Sequence, residues 1–102
     1  MVASVKKYVV IGPPAHVVRW LRLRDLTFND VITANGMLAG RRFDQTDIVV
    51  LGEFERLAST EHARMQLVHW VDHLASKMNP GQRLPDELVE WRHNQDDARP
   101  VD

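Results

Sequence analysis

The chain has no cysteine at all, which removes disulfides, thiolate nucleophiles and cysteine-held zinc together. It has no apolar run near the ~18 residues of a membrane span. The start, Met-Val-Ala-Ser-Val-Lys-Lys, reaches only four apolar residues, Tyr8 to Ile11, before Gly12, unlike a signal peptide. The expected location is the cytoplasm. Charge of one sign is also missing: 13 Lys and Arg against 14 Asp and Glu leave a net charge of -1, so no global field draws the chain to nucleic acid or membrane. What remains is an ordinary globular composition, 44% hydrophobic and 26% charged over 102 residues, enough for one core. Arginine outnumbers lysine ten to three, the usage of a GC-rich genome.

Periodicity predicts an α/β fold in one domain over residues 1–94, with 95–102 as a disordered acidic tail. Tyr8 to Ile11 reads as a strand ended by Gly12-Pro13-Pro14, and proline suits the first turn of the helix that follows. Wound at 100° per residue, Val17, Val18, Trp20 and Leu21 fall within about 160°, an amphipathic helix that covers a sheet. Val31 to Ala34 and Ile48 to Leu51 supply two more strands, and the continuous apolar run of the latter favours it as the central strand. A long helix is predicted from about Thr60 to Met78, capped by Ser59 or Thr60 and stopped by Asn79-Pro80-Gly81. A short C-terminal helix begins near Pro85. The expected sheet is three-stranded and mainly parallel, with the 12 residues between Ala34 and Asp47 as a crossover. Asn35-Gly36 between apolar runs supports a rival α+β arrangement with a hairpin there.

Motifs narrow the chemistry. The strand, loop and helix from Val9 to His16 stand where many α/β proteins bind phosphate. Counted from Gly12, however, the pattern G-x-x-x-x-G-K-[ST] meets Val17, Val18 and Arg19, with no lysine in register and no hydroxyl for magnesium. Two prolines also remove backbone donors. Further on, Leu38-Ala39-Gly40-Arg41-Arg42-Phe43-Asp44 followed by Ile48-Val49-Val50-Leu51-Gly52-Glu53 resembles the stretch leading into the magnesium-binding strand of phosphate-loop ATPases such as helicases and terminases. The resemblance spans residues 38–53. It departs from that family at Gly52, where an acid normally follows the strand, so that only Glu53 stands in for the catalytic acid. It implies a shrunken Rossmann-like relative that keeps the fold without ATP hydrolysis. Small accessory proteins of bacteriophages infecting GC-rich actinobacteria have this size and residue usage.

Gly12, Arg41 and Glu53 are accordingly the candidate ligand-binding residues. His62, Gln66, His69 and His73 form a polar stripe on the long helix, within about 60° of one another. His69 and His73, one turn apart, are the candidate metal pair, but two ligands fall short of the three or four that zinc requires, and no metal or cofactor is expected. Ser4, Ser59 and Ser76 lack the surroundings of a nucleophile, and no catalytic set is legible. Arg41-Arg42-Phe43 is the best basic-aromatic cluster, thin support for nucleic-acid binding beside a net charge of -1. Trp91, with Leu88 three residues before it, is the candidate interface, since three short strands cannot readily cover Trp20, Trp70 and Trp91. The sequence therefore points to a non-enzymatic interaction protein, a homodimer or modulator of a host or phage protein. A nucleotide or small-ligand domain with a degenerate phosphate loop and a nucleic-acid accessory factor are the alternatives.

Overall fold

The computed structural model describes residues 8–38 and 40–97. The elements run β1 (Tyr8–Ile11), α1 (Pro14–Leu23), β2 (Val31–Thr33), β3 (Ile48–Val50), α2 (Glu61–Ser76) and α3 (Asp86–Asp97), with short 3-10 turns at Phe28–Asp30, Gln45–Asp47 and Phe54–Ala58. All three strands are parallel, in the order β2-β1-β3. Val9 lies opposite Ile32 on one side and Ile48 on the other. The α/β fold with a parallel sheet is thus the observed one.

Alternation along β1 divides the molecule into two layers, because successive side chains of a strand point to opposite faces. Val9 and Ile11 join the main core, with Phe43, Leu67, Trp70, Val71 and Leu74. Val10 faces the other way, toward Val17, Trp20 and Leu21 of α1. Each fully buried Leu or Phe, such as Leu67, Leu74 and Phe43, contributes roughly 1.5–3 kcal/mol of transfer free energy. The Thr60 hydroxyl accepts the Ala63 N–H at 3.1 Å and starts α2 where its sequence predicts. At the far end the chain doubles back: the Phe43 N–H donates to Lys77 O at 2.8 Å and the Asn79 N–H to Phe43 O at 2.9 Å.

Three expectations are corrected. The central strand is β1, not Ile48 to Leu51, and in the latter only Ile48 is buried. An apolar run reports cover above and below the sheet, whereas strand order depends on which edges pair; the two are independent. At Asn35-Gly36 the turn exists, with Asn35 at φ 66° and the Gly36 N–H bonded to Thr33 O at 2.8 Å, but among the described residues no strand returns from it. Leu38 instead enters the main core, and Trp70 Nε1 donates to Gly36 O at 2.9 Å, so the turn serves a crossover rather than a hairpin. The last helix continues to Asp97, past the expected boundary at residue 94; residues 98–102 of the tail lie outside the described residues. Among the described residues no helix is long and apolar enough to cross a membrane.

Candidate functional site

The loops after β1 and β3 leave the sheet toward opposite faces, and in an open parallel sheet such a divergence is the usual place for a ligand. Gly12, His16 and Glu53 all lie at it. A Cβ on Gly12 would stand 2.7 Å from Leu51 Cβ and 3.0 Å from Leu51 Cδ1, so the missing side chain is what lets the ends of β1 and β3 meet. The Leu51 N–H donates to Ile11 O at 2.8 Å across the same junction. Packing against Leu51 is by itself enough to require a glycine here. The helix start has Pro13 as its N-cap and Pro14 as its first residue, and no side chain caps it.

The remaining polar groups close on one another. His16 Nδ1 lies 2.8 Å from Gly52 O, its Nε2 lies 3.5 Å from Glu53 Oε1, and Arg56 Nη1 is 3.9 Å from the same oxygen. Glu53 adopts φ 62°, the left-handed conformation that swings the chain from β3 into the next turn. Beside this loop lie cavities of about 260 Å³, lined by His16, Arg19, Trp20 and Leu23, and about 220 Å³, lined by Pro14, Val17, Phe28 and Leu57. Both are smaller than the ~300 Å³ at which metabolite clefts begin.

Arg41 does not join this group. It precedes β3, while Glu53 follows it, so in a parallel sheet they stand at opposite ends. Its guanidinium lies over the Phe43 ring at 5.5 Å, where the chain is tied to the C-terminal end of α2, and Arg42 Nη1 donates to Met78 O at 3.1 Å. Leu88 and Trp91, expected at an interface, are buried in the chain's own core at 0% and 8% exposure. Trp91 meets Phe54 edge to face at 6.1 Å. Their burial comes from α3 packing back onto α2 and the turn at Phe54, so only the rim of Trp91 is left for another chain.

His69 and His73 are exposed, as the helical stripe predicts. Their neighbour Asp72 accepts two bonds from Arg92, at 2.8 and 3.1 Å, and Arg92 also reaches Asp96 at 3.2 Å. These bonds, Asp72 first, hold the Arg92 pKa above its ordinary value. Among the described residues no group of three or more His, Asp or Glu is placed to hold a metal.

Charge is distributed in a way that whole-chain totals conceal. The first 24 residues carry five Lys and Arg and no acid; all 14 Asp and Glu follow, against eight Lys and Arg. A windowed count would have revealed this. In the fold, Arg56, Arg64, Arg83 and Arg92 are all paired with carboxylates. Arg19, Arg22 and Arg24 of the opposite layer are exposed and make no ion pair among the described residues. Arg24 lies over the Trp20 ring at 4.3 Å, and Tyr8 meets that ring edge-on at 5.7 Å. Leu23, between Arg22 and Arg24, is 76% exposed. On the α3 side, Glu55, Glu87 and Glu90 surround the Phe54–Trp91 pair in a cleft of about 230 Å³, without ion pairs among the described residues. Comparison of the chain with protein-family models, curated proteins and solved structures gives no match.

Proposed function

We propose that this chain is a non-enzymatic, cytoplasmic interaction protein that works as a homo-oligomer, of the kind that serves a phage as an accessory or modulates a host protein. One observation carries the reading: Leu23, Phe28 and Met37 are 76%, 57% and 85% exposed, large apolar side chains that the chain's own core leaves in water. Burial of such groups against another surface is the ordinary driving force for association. Near-neutral net charge fits this, since it opposes self-association little. The nucleotide-binding alternative loses its main support, because Leu51 accounts for Gly12 without a ligand.

The test is light scattering on the purified chain over a wide concentration range. A mass above that of the monomer, rising with concentration, is expected; a monomer throughout overturns the reading.

A further inference from the structure

We propose that Leu23 of one copy seats in the cleft between Phe54 and α3 of the next, so that copies stack head to tail through α1 and α3. The inference rests on the homo-oligomer reading and specifies its surface.

The projecting part follows from exposure at the edge of the helix's buried side. Val17, Trp20 and Leu21 fix that side of α1, and Leu23, about 110° from its middle and beside Trp20, is 76% exposed. Arg19 lies one turn before Leu23 and shares a cavity wall with it. Pro14–Leu23 contains no acid, so α1 offers an apolar side chain flanked by Arg19, Arg22 and Arg24, which make no ion pair among the described residues.

The receiving part has the complementary arrangement. Glu87 and Glu90, one turn apart on α3, and Glu55 on the facing turn ring an apolar floor of Phe54 and Trp91. About 230 Å³ suits one aliphatic side chain rather than a metabolite. Three carboxylates meet three guanidinium groups, and the leucine supplies the apolar anchor that charge pairs at a wet rim do not.

The two parts cannot meet within one molecule, since α1 covers one face of the sheet and α3 packs on the other. Nor do they saturate each other in a symmetric pair; such a contact is heterologous and builds a closed ring or an open stack. A nucleic-acid backbone is the poorer occupant. It gains nothing from a leucine amid the arginines, and the acid excess elsewhere repels it.

Sedimentation velocity on the full chain tests the proposal, at low salt and again at high salt, which screens the charges. One variant, Arg22→Gln with Leu23→Gln, removes the projection; another, Glu87→Gln with Glu90→Gln, removes the seat. All four positions are exposed, so unchanged circular dichroism and unfolding midpoints are expected. Each variant alone should associate about tenfold or more weakly than the wild type, as loss of an anchor and its partners implies. Their equimolar mixture should form dimers and nothing larger, because one retains the projection and the other the seat.

A wild type that stays monomeric overturns both this proposal and the oligomer reading. Variants that assemble like the wild type overturn only the α1–α3 contact, and so does a mixture that fails to dimerise. Binding of single- or double-stranded DNA oligonucleotides by a monomer, lost on Arg22→Gln, overturns it in favour of nucleic acid.

Discussion

Substituting Gly12 by alanine separates a packing glycine from a ligand-binding one. The added methyl would lie 2.7 Å from Leu51 Cβ, an atom fixed to the backbone that no rotamer change moves aside. Either the ends of β1 and β3 part, at the expense of the 2.8 Å bond from the Leu51 N–H to Ile11 O, or the helix start shifts. Overpacking of this kind costs about 1–3 kcal/mol. Gly12 does not have positive φ, so alanine is not strained there and recovers about 0.4–1 kcal/mol through the unfolded chain. The net loss expected is about 1–2 kcal/mol, or roughly 5–15 °C in Tm for a chain of this size.

Partner substitutions make this reasoning specific. Leu51→Ala removes the contacts at 3.0 and 3.2 Å but retains the Cβ at 2.7 Å, so Gly12→Ala should still destabilise in that background. Leu51→Gly removes the Cβ, and Gly12→Ala in that background should be neutral or slightly stabilising. Urea unfolding of the two double-mutant cycles measures the difference as a coupling free energy. A neutral Gly12→Ala in the wild type, or full relief by Leu51→Ala, refutes the packing argument.

Trp91→Ala should lose about 3–5 kcal/mol in unfolding experiments at concentrations where the chain is monomeric, as for a core aromatic; a loss seen only in the assembled state would instead assign Trp91 to the interface. Thr60→Ala should cost about 1 kcal/mol in the same assay, the cap of α2 being its Oγ1 bond to the Ala63 N–H. The Arg64 guanidinium donates to Glu61 and holds its pKa below 4.5, so the stability it contributes is present above that value and lost as pH falls through the lower folded value; Glu61→Gln should remove this small part of the acid dependence of the unfolding midpoint. EDTA should leave the midpoint unmoved, and a loss restored by zinc and abolished by His69→Ala would show a metal site at the His69/His73 pair.

What could be read in the sequence is local, and what could not depends on which edges and ends meet. Thr60 at one end of α2 and Asn79-Pro80-Gly81 beyond the other bracket a helix by backbone rules that act within a few residues, and the structure follows them. The same holds for the turn at Asn35-Gly36, where positive φ is real although the chain beyond it departs for the core. Strand order is different, because Tyr8–Ile11 and Ile48–Leu51 are apolar at comparable density and only the crossovers put β1 between its neighbours. The separation of Arg41 from Glu53 is already contained in the sequence: residues before and after one strand lie at its opposite ends, and these two flank β3. The spacing of Leu88 and Trp91 shows an apolar face but not how far α3 runs or what it meets; the helix continues to Asp97 and the indole is 8% exposed within the chain. The charge partition was legible but lost in a total near zero. A sum over the chain cancels the acid-free first 24 residues against the acidic remainder, while the sheet holds α1 and α3 on opposite faces and keeps the two charges apart.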